Sequence, residues 1–344
     1  KKAQALNPKL AKTETILGFA NLAHTEIDAA KRSFEQALTL DSSDPLARLG
    51  LGLAKIRKGD VEAGKNELET AVNLDPNNAV IRSYLGKSYY ELRNKDYAGK
   101  EFEIAKAMDA KDPTPYFYDA ILKQTTNRPV EALQDMQKAI ELNGNRGVYR
   151  SKLLLDSDSA ARNASLGRIY NDLGFQQRGL LEGWNSINQD PSNYSAHRLL
   201  ADNYAALPRH EISRLSELLK AQLLQPINIT PVQPQAAESN ILILDGMGSS
   251  ITSFNEYNPL FTRNRFALQA SGFYGSQDTI SDEVVHSGVW DRFSYSLGQF
   301  HYETEGYRQN NERKKDIYDV FAQAQITNDT NVQIQLRRSE DRVG

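Results

Sequence analysis

The chain contains 344 residues, with 41 lysines and arginines against 44 aspartates and glutamates, and it has no cysteine. This charge balance gives no general attraction to nucleic acid, and the missing cysteines exclude disulfides, zinc ribbons and thiol nucleophiles. The length favours two domains. A cysteine-free chain also suits an oxidising compartment such as the periplasm.

The first residues, KKAQALNPKLAK, carry neither an initiator methionine nor the apolar core of a signal peptide. We therefore interpret the sequence as a processed or truncated piece of a longer protein. No apolar stretch approaches the roughly 20 residues that a membrane-spanning helix requires.

From residue 11 onward, residue types recur every 34 positions over four copies. Small residues are needed where two helices approach closely, and large apolar residues are needed where a side chain must fill a gap. The pattern therefore predicts repeated helix pairs. The recurring positions are Gly18, Gly52, Gly86 and Ala120; Ala30, Gly64, Ala98 and Ala132; Phe34, Leu68, Phe102 and Met136; Ala37, Ala71, Ala105 and Ala139; and Asp41, Asp75, Asp109 and Asn143.

This pattern resembles the tetratricopeptide repeat, which has small residues in both helices and a proline near the end of each unit. Pro76 in LDPNN (74–78) falls on the proline position, which Ser42, Ala110 and Gly144 occupy in the other copies. The resemblance implies an α-solenoid over residues 1–224, in which each repeat contacts only its neighbours. We place the repeats at about 11–44, 45–78, 79–112, 113–146, 160–193 and 194–224, with an insertion at 147–159.

In the resembled family, the first helix of each pair lines a groove that binds a partner. An aromatic and polar groove suits an extended peptide or a sugar chain. Tyr84 and Phe117 are equally well explained as packing residues between neighbouring helices, because large side chains usually pack. The candidate ligand-binding residues on this chain are Tyr84, Lys87, Tyr90, Phe117, Tyr118, Gln124, Arg168, Asn171, Asp172, Arg198 and Asp202.

Pro226, Pro231 and Pro234 end the helical pattern and predict a linker over residues 225–240. Over residues 241–344 the apolar period changes to two, which predicts antiparallel strands. In the last strand, apolar residues at 332, 334 and 336 alternate with polar residues at 333, 335 and 337. The predicted strands are 265–275, 283–290, 293–308, 316–326 and 332–338. Tight turns are predicted at 291–292 and 328–331, and longer loops at 277–282 and 309–315.

The apolar faces of these strands need a cover. A soluble sandwich would bury them against a second sheet, whereas an outer-membrane barrel would bury them in lipid and keep polar side chains in its lumen. Strands of about ten residues, short turns at one end and longer loops at the other, and aromatic residues near the strand ends favour lipid. Ala322 and Ala324 on the apolar face also favour it. Bacterial barrels need at least about eight strands, so we expect this barrel to be incomplete.

The predicted fold class is therefore α+β multidomain: an N-terminal α-solenoid of helix pairs, then antiparallel strands of an incomplete outer-membrane β-barrel. This order resembles bacterial outer-membrane proteins in which periplasmic tetratricopeptide repeats precede a barrel, such as porins that export exopolysaccharide. The resemblance implies a scaffold in the bacterial cell envelope, with its repeats in the periplasm and its strands in the outer membrane.

Such a scaffold would bind a polymer or partner proteins for export or envelope assembly. The expected partners are proteins or exopolysaccharide in the groove and outer-membrane lipid around the strands, with no nucleic acid and no cofactor. The alternative is a soluble protein–protein interaction adaptor with a small β-domain.

No pattern of catalytic residues accompanies these elements. The five histidines show no HExxH or other metal-binding spacing. DGMGSS (245–250) lacks the lysine and the glycine spacing of a phosphate loop, and there is no GxSxG sequence. We therefore expect no enzyme activity and no metal site.

Overall fold

A computed structural model describes residues 10–145, 158–205, 207, 209–227 and 261–344. Nearly all of the predicted insertion and most of the predicted linker lie outside these residues. The chain divides into two compact units, Lys1–Leu199 with Tyr257–Arg263, and Leu200–Glu256 with Asn264–Gly344. The domain boundaries drawn from the sequence stay predictions.

Within the described residues, the first unit consists of helices packed in consecutive pairs. The pairs are α1 (Ala11–Ala23) and α2 (Ile27–Leu40), α3 (Pro45–Arg57) and α4 (Val61–Leu74), α5 (Ala79–Glu91) and α6 (Lys95–Met108), α7 (Pro113–Thr125) and α8 (Pro129–Glu141), and α9 (Asp158–Asp172) and α10 (Gln176–Gln189). The first helices of adjacent pairs, such as α5 and α7, also contact each other. We call the surface that these first helices form the inner face.

Helix packing explains the period of 34 residues. A Cβ atom added to Gly86 would lie 2.6 Å from Cε1 of Phe102, and one added to Gly52 would lie 2.9 Å from the carbonyl oxygen of Gly64. Only glycine therefore allows these helices to approach so closely. The recurring large and small apolar positions are fully buried, at Phe34, Leu68, Phe102 and Met136 and at Ala37, Ala71, Ala105 and Ala139.

The recurring aspartate turns the chain between repeats. Oδ1 of Asp41 accepts a hydrogen bond from the backbone N–H of Ser43 at 3.0 Å, and Oδ1 of Asp109 accepts one from Lys111 at 2.9 Å. These local bonds favour a turn over continued helix. A second acid then caps the next helix, because Asp44 accepts from the N–H groups of Leu46 and Ala47.

The second unit contains the end of α11 (Tyr194–Ala205), then α12 (Glu211–Leu224), and a five-stranded sheet. Neighbouring strands pair antiparallel in the order β1-β2-β3-β4-β5, and the described strands do not close into a barrel. The strands are β1 (Arg265–Gly275), β2 (Thr279–Trp290), β3 (Phe293–Thr304), β4 (Arg313–Gln325) and β5 (Asn331–Val343). Among the described residues, no helix is long and apolar enough to cross a membrane.

The loops differ from their predicted lengths. The longer loop predicted at 277–282 is wrong, because Thr279 already pairs with Gly275 and the chain turns within 276–278. Gln277 and Asp278 make that turn with φ values of 61° and 48°. The tight turn at 291–292 is confirmed, since Trp290 pairs with Phe293.

The two remaining loops also differ. The third strand ends at Thr304 instead of residue 308, and its pairing with Arg313 sets the next loop at 305–312. The last turn spans 326–330, because Gln325 pairs with Asn331. The sequence predicted short turns at one end of the sheet and longer loops at the other. That alternation is wrong, because the short turn at 276–278 and the longer loop at 305–312 lie at the same end of the sheet.

The predicted division of the strands into two faces is confirmed. One surface, the apolar face, carries Leu268, Val320, Ile334 and Leu336, and all four are exposed. The opposite surface, the polar face, is buried on the three central strands β2, β3 and β4, at Ser281, Glu283, Ser287, Ser294, Ser296, Asp319 and Gln323, together with a small cluster of Phe300, Tyr302 and Ile317. The sheet is therefore inverted relative to an ordinary soluble sheet, which buries its apolar side.

Hydrogen bonds connect the polar face with α12. Nε2 of Gln323 donates to the carbonyl oxygen of Gln225 at 2.9 Å, and Nε2 of Gln333 donates to that of Gln222 at 3.1 Å. The last carbonyls of a helix lack partners within the helix. Glutamine side chains from β4 and β5 supply partners at this helix end.

Candidate functional site

A cleft on the inner face brings together several of the predicted binding residues. Tyr84, Lys87 and Glu91 lie on α5 at spacings of three and four residues, which places them on one side of the helix. Tyr118 lies on α7, 34 residues after Tyr84, and therefore at the equivalent position of the next repeat. The two tyrosine rings have centroids 6.2 Å apart. We call this group, with Tyr90, the aromatic cleft.

Phe261 occupies the aromatic cleft and belongs to the same compact unit. Its ring is stacked on Tyr84 with centroids 6.3 Å apart, and it meets Tyr118 edge-on at 6.4 Å. Both arrangements are favourable for aromatic pairs. Phe261 is 0% exposed, so its ring is fully buried.

Three charged side chains complete the aromatic cleft. Nζ of Lys87 lies 4.5 Å from the centre of the Tyr90 ring and 5.3 Å from that of Phe261. Glu91 forms ion pairs with both Lys87 and Arg263. Burial would raise the pKa of Glu91, but Lys87 and Arg263 outweigh that effect and lower the pKa to about 2. Glu91 is therefore an ionised carboxylate that holds the guanidinium of a neighbouring chain segment.

Phe117 and Gln124 lie on the same helix as Tyr118 and have other contacts. The ring of Phe117 packs against Tyr118 at 5.6 Å, and the guanidinium of Arg162 lies 5.4 Å from its centre. Phe117 is buried, which agrees with the packing interpretation. Gln124 donates a hydrogen bond to Asp172 and so joins α7 to α9. Burial raises the pKa of Asp172 despite this bond and the nearby charge of Arg168.

The remaining predicted residues do not join the aromatic cleft. Asn171 faces α10, because a Cβ atom on Gly179 would lie 2.0 Å from its Oδ1. Arg168 is half-buried on α9, and Arg198 is buried on α11. Asp202 lies in the other compact unit. A binding role for any of these residues stays a prediction.

Sequence reasoning missed Glu91, Phe261 and Arg263. Glu91 ends the same helix that carries Lys87, and a Lys–Glu pair four residues apart was a usable signal. Nothing in the repeat pattern pointed to Phe261 or Arg263, because they lie outside the repeats. Arg263 and Glu91 are 172 residues apart along the chain.

A second charged cluster lies between α6, α7 and α8. Lys106 contacts Asp119 at 2.5 Å and Asp135 at 3.0 Å, and Lys123 contacts them at 2.9 Å and 2.5 Å. Each lysine meets both carboxylates, so the charges balance and the cluster joins three helices. Across the described part of the chain, no group of three or more histidines, aspartates or glutamates could hold a metal ion.

Comparison with known proteins agrees with the helical architecture. Residues 21–87 match the family model described as tetratricopeptide repeat. No curated protein sequence is detectably similar to this chain.

Solved structures share the fold at low sequence identity, and three of them serve as examples. They are the APC/C hetero-tetramer Cut9-Hcn1 (TM-score 0.60, 18% identity, 71% of this chain and 45% of that one), pilF of Pseudomonas aeruginosa (0.50, 16%, 62% and 91%), and the human IFIT1 dimer with PPP-AAAA (0.50, 18%, 63% and 50%). The match thus spans less than half the length of the first structure. Together with the packing at intervals of 34 residues, these matches show that the helices form a tetratricopeptide-type solenoid.

Proposed function

We propose that this protein is a non-catalytic scaffold whose aromatic cleft binds an extended segment of protein. The observation that carries the proposal is that the cleft already encloses Phe261 and pairs with Arg263. This occupant comes from outside the repeats, as a partner's segment would. The aromatic rings of the cleft can pack against an aromatic side chain of a ligand, and its carboxylate can pair with a guanidinium. Peptides contain both aromatic and guanidinium side chains.

The same chemistry favours a peptide over an exopolysaccharide in the groove. Sugars stack on aromatic rings, but Tyr84 and Tyr118 are buried with Phe261 in place. A neutral sugar that displaced this segment would lose the ion pair between Arg263 and Glu91 and form no new one, which leaves Lys87 as a partner of Glu91. A peptide with an aromatic and a basic residue would replace both contacts.

Peptide arrays probed with the 344-residue chain test this function. We expect Tyr84→Ala to abolish binding to the peptides that the unchanged chain retains, because the substitution removes one wall of the cleft. Tyr97→Ala is the matched control, since Tyr97 is exposed and lies outside the cleft. Thermal unfolding of both variants would show that the solenoid remains folded. Equal binding by the two variants would contradict the proposal, as would the absence of any retained peptide when Phe261→Ala replaces the unchanged chain.

The sheet supports a second candidate function, an export or assembly component of the outer membrane. Its apolar face is exposed while its polar face is buried on β2, β3 and β4, as in a barrel wall that separates lipid from a water-filled lumen. On β2 and β3 the exposed apolar side chains include Val284, Trp290, Phe293 and Leu297. In this candidate, the repeats would lie in the periplasm and gather a partner beneath a pore.

Fractionation of the protein expressed from its whole gene tests the second candidate. We expect the product to sediment with the outer membrane and to require detergent for extraction. Recovery in the soluble fraction would contradict the outer-membrane function. It would favour an adaptor in which another protein covers the apolar face of the sheet. Either result leaves the peptide-binding cleft to be tested separately.

A further inference from the structure

We propose that the aromatic cleft recognises a peptide with an aromatic residue followed two positions later by arginine, and that Phe261–Thr262–Arg263 occupies the cleft as a built-in competitor. This inference rests on the proposed peptide-binding function and names its ligand class. It also explains why a segment outside the repeats lies on their inner face.

The spacing of the occupant matches the spacing of the cleft. The Phe261 ring lies over Lys87, and Arg263 pairs with Glu91 one helical turn further along α5. One turn of helix advances about 5.4 Å, and two residues of chain reach at most about 7 Å. The aromatic and basic side chains of such a peptide can therefore contact the same side of α5.

The charges allow the occupant to leave. With Arg263 absent, Lys87 and Glu91 still form an ion pair, so the empty cleft holds no unbalanced carboxylate. An unpaired buried charge would prevent opening, because it is strongly unfavourable. Arg263 is also the most exposed of the three side chains, at 13% against 1% and 3%. The cleft can thus exchange one segment for another.

The covalent link makes the built-in segment a strong competitor. A tethered segment acts at an effective concentration that its tether sets, and that reaches the order of millimolar for a short flexible tether. The apparent affinity for an external peptide falls in proportion to the fraction of empty clefts. Any event that withdraws residues 261–263 would therefore open the cleft to a partner.

Fluorescence anisotropy with a fluorescein-labelled peptide NPLFTRN, the sequence of residues 258–264, tests the inference. We expect Arg263→Glu to bind this probe at least about tenfold more tightly than the unchanged chain, because the new carboxylate repels Glu91 and empties the cleft. Arg308→Glu is the matched control, since this exposed residue lies in the β3–β4 loop and makes the same charge change. Its affinity for the probe should equal that of the unchanged chain.

A second variant and two altered probes complete the test. Phe261→Ala should also tighten binding, and thermal unfolding would verify that each variant is folded. Probes in which alanine replaces the phenylalanine or the arginine should bind at least about tenfold more weakly to Arg263→Glu.

If the probe binds the unchanged chain and both opened variants equally, the built-in competitor is refuted. Failure of the probe to bind any folded variant refutes the ligand class. In either case, retention of other peptides on the array through Tyr84 would leave the proposed function standing. Loss of all peptide binding would refute both.

Discussion

Phe261 and Phe102 are both fully buried phenylalanines of the helical unit, and the structure predicts different costs for removing them. Phe102 packs inside the α5–α6 pair, where Gly86 provides the space for its ring. Truncation of such a core ring to alanine costs about 3–5 kcal/mol, because a cavity remains.

Phe261 belongs to a docked segment instead. Full burial of a phenylalanine contributes about 1.5–3 kcal/mol, and ordering the backbone of that one residue costs about 1–2 kcal/mol. The net contribution to the stability of the repeats should therefore be about 1 kcal/mol. Without the segment, Tyr84 and Tyr118 become hydrated but the helix pairs retain their contacts.

Urea unfolding followed by circular dichroism at 222 nm measures both effects. We expect Phe102→Ala to lower the free energy of unfolding by at least about 2 kcal/mol more than Phe261→Ala does. Equal losses would show that Phe261 is part of the core and not a ligand. If Phe261→Ala changes neither the free energy of unfolding nor the cleft, the segment does not dock in solution.

Three further predictions follow from other features. Gly86→Val should lower the free energy of unfolding by about 1–3 kcal/mol through overpacking against Phe102, and an intact unfolding midpoint would contradict that packing. The pKa of Glu91 is lowered in the folded protein, so its stabilising effect is present above about pH 4.5 and is lost as the pH falls toward 2. The thermal midpoints of Glu91→Gln and of the unchanged chain should therefore converge as the pH falls over that range. A constant difference would refute the lowered pKa of Glu91. Ile334→Lys places a charge on the apolar face and should weaken membrane association by about 2–4 kcal/mol if that face meets lipid, whereas unchanged partitioning into detergent would exclude lipid contact there.

The repeats were predictable because their residue types have local causes. A glycine at position 86 and a phenylalanine at position 102 are dictated by two helices in contact, and this constraint recurs in each repeat. The strand faces were predictable for the same reason, since alternation along β4 and β5 fixes which side chains share a face.

The loops and the occupant of the cleft were harder to predict. The turn at 276–278 depends on Gln277 and Asp278 both adopting positive φ values, and glutamine, unlike aspartate, is not enriched in that conformation. The contact between Glu91 and Arg263 occurs once and joins distant parts of the chain. Neither periodicity nor composition records such a contact, so Tyr84 was identified as a candidate without the segment that covers it.

Nuclear Overhauser effects between aromatic rings test the central claim most directly. In deuterated protein with protonated phenylalanine and tyrosine, Phe261 should show cross-peaks to Tyr84 and Tyr118, because its ring centroid lies 6.3 Å and 6.4 Å from theirs. The spectrum of Phe261→Leu would assign the signals. The account predicts that these cross-peaks appear and then vanish when excess NPLFTRN peptide is added. Narrow, random-coil signals from Phe261 in the absence of peptide would contradict it.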